Sequence, residues 1–159
     1  MVMKEKLERQ ITFMTENRFG ACMTSYETVN EDGSFRNIVH IDERLDYKKF
    51  LKKPPTCSHT IMFDTELVDK KALVMPDIRK RQDAATWLQV IKLYGCLHGF
   101  DEVLAANRKR SDSLSANKVS AVKGTWFLYT EIEGLSKPYA GYCLFWQMFH
   151  AVLKRIGKR

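Results

Sequence analysis

The chain has 159 residues, of which 45% are hydrophobic and 11% aromatic, so it can build the core of one domain and is not a disordered tail. Its formal net charge of +7 favours anionic partners such as phosphates, nucleic acid or an acidic membrane surface, and does not indicate a fold. No apolar run approaches the roughly 20 residues of a membrane-spanning helix, and four widely spaced cysteines without a signal-peptide pattern predict reduced thiols in a cytoplasmic protein.

The spacing of apolar residues and turn formers predicts alternating helices and strands. In the first half these are a helix over 4–17, strands over 19–26 and 35–41 around a turn at 30–34, a short helix over 46–53 and a strand over 56–63. In the second half they are a helix that ends at Gly95, strand material over 97–110 in two pieces around Gly99, a polar turn over 111–115, a helix around Val119–Tyr129 and a last helix after Ser136. This order predicts an α/β fold.

The segment RKRQDAATWL, residues 79–88, carries the strongest candidate for chemistry. Asp83 lies near the start of the predicted helix, where exposed amides and the helix dipole stabilise a carboxylate. One interpretation is therefore a structural acid that caps the helix. The other depends on the residues around it.

Several segments resemble family 2 glycosyltransferases in order and spacing. Residues 75–88, MPDIRKRQDAATWL, are similar to the family pattern P-D-x-R-x-R-Q-D-x-x-x-W-L, which opens a helix under the acceptor site. Residues 99–118, GFDEVLAANRKRSDSLSANK, resemble the strand and the polar stretch that follow. The earlier segments that fit are KEKLERQITFM (4–14), TSYETVNEDG (24–33) and HTIMFD (59–64).

The resemblance implies a fold and an activity. Residues 1–135 would be the acceptor-side part, incomplete at its N-terminus, of a GT-A nucleotide-diphospho-sugar transferase fold, with a mixed sheet and flanking helices. Residues 136–159 would form a basic amphipathic C-terminal helix. The implied reaction is inverting transfer of a sugar from a nucleotide-sugar donor to a saccharide or lipid-linked acceptor, in surface polysaccharide or lipopolysaccharide biosynthesis.

Carried over residue by residue, the resemblance makes Asp83 the general base that takes the proton from the acceptor hydroxyl. Near Arg108 the chain departs from the family's Tyr-Arg-x-His sequence, with Asn107 for the tyrosine and Arg110 for the histidine. The resemblance also assigns Gln82, Trp87 and His59 to acceptor binding, and Arg108 and Arg110 to phosphate binding. For Trp87 the competing interpretation is burial in the core.

The metal-binding part of such enzymes is not found in this sequence. Family members hold Mg²⁺ or Mn²⁺ through an Asp-x-Asp motif, because hard cations need oxygen ligands beside the diphosphate. No Asp-x-Asp occurs here, so we assign no metal ligand to this chain and expect the metal only in the intact enzyme. We further expect the chain to be a fragment that is inactive alone.

Several alternatives remain open. The chain could be an inactive acceptor-binding or membrane-binding module, or a small basic nucleic-acid-binding domain. Its basic clusters lack interleaved aromatic residues, which disfavours nucleic acid. Two Cys-x-His pairs, at 57–59 and 96–98, could supply four zinc ligands, although their spacing is not that of a finger or a ribbon.

The last predicted helix combines an aromatic stripe with a cationic end over 154–159. Such a helix is typical of one that lies on an anionic membrane. Packing onto the rest of the intact protein explains the stripe equally well. If the membrane is the partner, the protein is peripheral on the inner face. The residues of the stripe are Tyr142, Phe145, Phe149, Val152 and Ile156.

Overall fold

A computed structural model describes residues 2–54, 57–109 and 118–156. The helices are α1 (Lys6–Asn17), α2 (Tyr47–Lys52), α3 (Gln82–Tyr94), α4 (Lys118–Phe127), which continues into a π-helical segment (Leu128–Ile132), and α5 (Lys137–Ile156). The strands are β1 (Ala21–Val29), β2 (Phe35–Val39), β3 (Arg44–Asp46), β4 (Ile61–Phe63) and β5 (Cys96–Arg108). Two 3₁₀ turns lie at Ser58–Thr60 and Lys70–Leu73.

The strands form one mixed sheet, as the predicted α/β class requires. Its order is β2-β1-β5-β3, and β4 also pairs with β1. β1 and β5 run parallel, and the other pairs are antiparallel. The predicted hairpin is confirmed, because β1 and β2 pair from Tyr26↔Val39 to Val29↔Phe35.

Helices cover both faces of β1, which explains why that strand is almost continuously buried. On one face, Gln10 of α1 donates to the Cys22 sulfur at 3.0 Å and to the Thr60 carbonyl at 2.9 Å. On the other face, Met23 joins the main core together with Leu88 and residues of α5. The sheet therefore separates α1 from α3.

β5 is one continuous strand and is not interrupted at Gly99, so the prediction of two pieces around that glycine is wrong. A Cβ on Gly99 would lie 2.2 Å from the Asp42 carbonyl oxygen, so glycine is needed for a close backbone crossing inside the strand. An irregularity in strand pairing lies further along β5. There Asp101 and Glu102 have no opposite residue on β1, between the pairs Thr24↔Phe100 and Ser25↔Val103.

Two further expectations are corrected. Residues 57–63 are not a full strand, because a 3₁₀ turn precedes the three-residue β4. The helical spacing of Leu7, Ile11 and Met14 predicts one covered face of the first helix, but of these three only Met14 is buried, and Leu7 is 60% and Ile11 53% exposed. Together with Met14, the positions of α1 that face the sheet are Lys6 and Gln10.

The helices after residue 117 complete the main core. Ala140 and Cys143 of α5 pack with Leu128 and Tyr129, and the Tyr129 hydroxyl donates to the Leu51 carbonyl at 2.5 Å. The polar turn predicted over 111–115 and the side chains of the cationic end over 154–159 lie outside the described residues. No helix in the described ranges is long and apolar enough to cross a membrane.

Candidate active site

The start of α3 lies beside the carboxyl half of β5. Gly95, with φ 92°, reverses the chain between α3 and β5, so the helix runs antiparallel to the strand. Thirteen helical residues span about 20 Å, which matches roughly six residues of β5. The first turn of α3 is therefore beside the second half of β5, and ligands of α/β sheets bind at the carboxyl ends of strands.

Asp83 is held in the first turn of α3 by two donors. The Ser58 hydroxyl donates to its Oδ2 at 2.8 Å, and the Ala84 amide donates to its Oδ1 at 2.8 Å. The N-cap position itself is Arg81, in the left-handed conformation. Asp83 is thus not the cap residue, and its half-exposed carboxylate keeps unused lone pairs that point to solvent or to a ligand.

His59 and Gln82 are the sequence neighbours of Ser58 and Asp83. His59 follows Ser58 in the same 3₁₀ turn, and its Nε2 lies 3.3 Å from the Cys57 sulfur. Partial burial lowers the pKa of His59, which favours the neutral ring. Gln82 is the first residue of α3 and is exposed. The hydrogen bond between Ser58 and Asp83 therefore joins the turn that contains His59 to the start of α3.

Trp87 lies in the core. Its side chain is 5% exposed and meets the Phe50 ring edge-on, with 6.1 Å between centroids. This position favours the core interpretation and leaves little of the ring for an acceptor sugar. Contact with the acceptor stays a prediction for Gln82 and His59.

Arg108 is exposed at the end of β5, opposite Val29. Cys57, which leads into the Ser58 turn, packs on Ala105 of the same strand. Arg108 follows Ala105 by three residues, or about 10 Å along the strand. Both Arg108 and Asp83 thus lie toward the same end of the sheet. Arg110 lies outside the described residues.

A groove of 460 Å³ opens beside the start of α3. One wall is the loop Asp77–Lys80, and the other is α4, through Ser120, Lys123, Gly124 and Phe127. The loop and α4 are also joined by Arg81, which donates to the Ala121 carbonyl at 3.3 Å. The site therefore combines a carboxylate on one side with a basic groove on the other.

The described residues contain no group of three or more histidine, cysteine or acidic side chains arranged to hold a metal ion. The two predicted Cys–His pairs do form, with Cys96 Sγ 3.4 Å from His98 Nε2, yet they are not brought together. His98 stacks on Phe19 beside α1, at 3.5 Å between ring centroids. The divalent metal of the intact enzyme thus stays a prediction, and none of the described residues is assigned to it.

Sequence reasoning missed two parts of the site. Ser58 lies between Cys57 and His59, which were considered as metal ligands, and was itself assigned no role. Its contact with Asp83 joins residues 25 positions apart, which no sequence periodicity indicates. The α4 wall of the groove was read only as a helix. Its helical pattern does not indicate which segment packs against it, so no local signal pointed to the groove.

Comparisons with known proteins support a transferase. The chain is 38% identical over 154 residues to the Bacillus subtilis (strain 168) glycosyltransferase TuaG, whose name assigns it to teichuronic acid biosynthesis. That match covers 96% of this chain and 60% of TuaG. An uncharacterized glycosyltransferase of Rickettsia felis is 28% identical over 107 residues, and one of Rickettsia bellii is 28% identical over 120 residues.

The chain spans 17% of each of these Rickettsia proteins, while 66% and 72% of the chain are matched. No protein-family model matches the chain, and no solved structure gives a significant match. The α/β mixed sheet with flanking helices is consistent with a C-terminal portion of a glycosyltransferase. The resemblance to glycosyltransferases is therefore confirmed, and 96% of this chain matches a part of one of them, TuaG.

Proposed function

We propose that the intact protein is an inverting family 2 glycosyltransferase of GT-A fold, in which this chain binds the acceptor and supplies the general base. The observation that supports this most strongly is the placement of Asp83. It lies beside the carboxyl half of β5, is fixed by Ser58 and Ala84, and remains half-exposed. An inverting transfer needs one such base, because it proceeds in a single displacement.

In the proposed mechanism the acceptor hydroxyl donates to a free lone pair of Asp83. The carboxylate removes this proton as the oxygen bonds to the anomeric carbon, and the nucleotide diphosphate leaves with the bonding electrons. The two donated hydrogen bonds orient the carboxylate before the acceptor arrives, which limits reorganisation during the step. Arg108 at the end of β5 is the proposed contact for the diphosphate.

We assign the divalent metal and the nucleotide to the remainder of the intact protein. The sequence has no Asp-x-Asp, and the chain spans 60% of TuaG. The name of TuaG refers to teichuronic acid biosynthesis, and we propose surface polysaccharide assembly for this protein. The acceptor is then a growing saccharide or a lipid-linked one.

A membrane contact through α5 is the second part of the proposal. Five apolar side chains of this helix are 43 to 59% exposed, and the sequence continues into a cationic end over 154–159. An apolar face beside lysines and arginines complements an anionic membrane surface. Four free, widely spaced cysteines support a cytoplasmic setting, and we propose that the contact is with the inner face of the membrane. The exposed residues are Tyr142, Phe145, Met148, Phe149 and Val152.

The test of the base is Asp83→Asn in a full-length enzyme that contains this chain. Asparagine keeps the size of the side chain and removes its basicity, so kcat should fall by roughly 10²–10⁴-fold while donor binding stays nearly unchanged. Steady-state kinetics and calorimetry with the donor measure the two effects.

The matched control is Asp46→Asn. Asp46 caps α2 by accepting from the Lys49 amide at 2.9 Å, and asparagine caps helices well. Its kcat should equal that of the parent enzyme. If Asp83→Asn retains most activity and only lowers the melting temperature, Asp83 is a structural acid and the proposal is wrong.

A further inference from the structure

The groove beside α3 carries an excess of positive charge. Of the described residues that line it, Arg79, Lys80 and Lys123 are cationic and Asp77 is acidic. Arg81 adjoins the same loop. None of these cations forms an ion pair with a carboxylate of a described residue. Their charges are therefore left to act on a ligand.

The two walls of the groove are fitted to each other. The Lys80 ammonium donates to the Ser120 hydroxyl, which fixes the lysine without neutralising it. Gly124 lies against the aliphatic stem of Lys80, whose Cβ would be 3.4 Å from a Cβ added at that glycine. The hydrogen bond of Lys80 and the packing of its stem thus hold its ammonium group beside the groove.

Apolar surface lies beside this charge. Phe127 is 47% exposed, and Ile78 is half-buried in the opposite wall. Ligand sites combine apolar lining with a few charged groups that fix orientation. A sugar ring has an apolar face of C–H groups and a polar edge, so it suits this combination better than a bare ion does.

The groove adjoins the proposed base. Asp83 follows Lys80 by three residues, so their Cα atoms lie within about 11 Å of one another. A ligand seated on Lys80 and Lys123 can present a neighbouring hydroxyl to the carboxylate. The same ligand cannot place a negative group against Asp83, because like charges repel.

From this arrangement we propose that the groove selects a negatively charged saccharide acceptor. A carboxylate or phosphate on the acceptor binds Lys80 and Lys123, its ring packs on Ile78 and Phe127, and a hydroxyl reaches Asp83. This specificity rests on the proposed function and adds the chemical class of the acceptor to it.

The experiment titrates the ¹⁵N-labelled chain with trigalacturonate, glucose 1-phosphate, neutral maltotriose, inorganic phosphate and UDP. The Gly124 amide reports the groove, and the amides of Gly33 and Gly95 report distant sites. We expect trigalacturonate or glucose 1-phosphate to shift the Gly124 signal at lower concentration than the other three probes, and the better of the two identifies the charged group.

The variant Lys80→Gln/Lys123→Gln should weaken this binding roughly tenfold, the combined effect of two exposed charge contacts. The matched control, Lys70→Gln/Lys71→Gln, removes two exposed lysines at the other end of α3 and should bind like the parent chain. Retained dispersion of the amide spectrum shows that each variant is folded.

Equal binding of maltotriose would overturn the proposal, since charge would then not be recognised. Equal binding of inorganic phosphate or UDP would also overturn it, by making the groove a bare anion or donor site. So would unchanged affinity in the double variant. Binding needs no transfer reaction, so the two proposals can fail separately. If the groove binds as expected but Asp83→Asn leaves kcat unchanged, the result contradicts the proposed function and not the binding preference of the groove.

Discussion

Helices α3 and α5 carry apolar stripes at the same helical spacing, and they differ in what covers those stripes. In α3, Trp87, Leu88 and Ile91 are at most 5% exposed and belong to the main core. In α5, Ala140 and Cys143 are fully buried, whereas Phe145 and Phe149 are 59% and 43% exposed. A stripe therefore predicts that a face will be covered, and only the fold shows whether the described chain covers it.

The largest expected difference between the two helices is in stability. Trp87→Ala removes a buried aromatic side chain that contacts Phe50, and should lower the free energy of unfolding by about 3–5 kcal/mol. Phe145→Ala removes an exposed ring and should change it by less than about 0.5 kcal/mol. Urea denaturation of the two variants checks the pair. Equal losses would show that the α5 face is covered within the folded chain.

Vesicle binding should show the opposite order. Phe145→Ser/Phe149→Ser removes apolar surface that we propose enters an anionic membrane, at about 1.5–3 kcal/mol for each side chain, so the partition coefficient should fall at least tenfold. Sedimentation with vesicles of anionic and of neutral lipid measures it, and added salt should weaken the anionic case. Leu67→Ser, at an exposed apolar residue before the second 3₁₀ turn, is the control. Unchanged sedimentation of the double variant would instead favour packing of α5 on the rest of the intact protein.

The smallest expected effect is the pH dependence of stability that His98 of the sheet contributes. Burial, and then the charge of Arg44, lower the pKa of His98. The folded state thus disfavours the protonated ring, so the stability that His98 contributes is present above the unfolded pKa of about 6.5 and is lost as pH falls below it. Thermal melts between pH 7 and pH 5 should show a decline that is shallower in His98→Gln.

Because the pKa of His59 is also lowered, the stability of His98→Gln should still decline as the pH falls, only less steeply than that of the parent chain. A parent chain whose stability rises on acidification would contradict the assignment.

Local patterns predicted the elements well where the chain folds on itself nearby. The hairpin follows from turn formers between β-prone runs, and α3 follows from its stripe and from Gly95. These patterns failed where a segment distant in sequence determines the local structure. Gly99 was taken as a break because the crossing of residue 42 over β5 cannot be read from sequence. Leu7 and Ile11 were expected on the face of α1 that covers the sheet, but Gln10 lies on that face and the two apolar residues are exposed.

The same division applies to the site. Asp83 was identified because the order of the motif around it is specific, and its general-base role stays a prediction. Ser58 and the α4 wall were missed because each meets the start of α3 from a distant part of the chain. The boundary proposed at residue 135 and the phosphate contact of Arg110 also stay predictions.

The most direct test of the account is the kcat of four full-length enzymes: the parent, Ser58→Ala, Asp83→Asn and the double variant. If Ser58 acts by holding the base, Ser58→Ala should lower kcat roughly tenfold, as expected for loss of one hydrogen bond to a charged group, with rescue by Ser58→Thr. In the Asp83→Asn background the same change should have no further effect, because the group that it positions is no longer a base. An equal, multiplicative loss in both backgrounds, or a parent-like kcat for Asp83→Asn, would contradict the account.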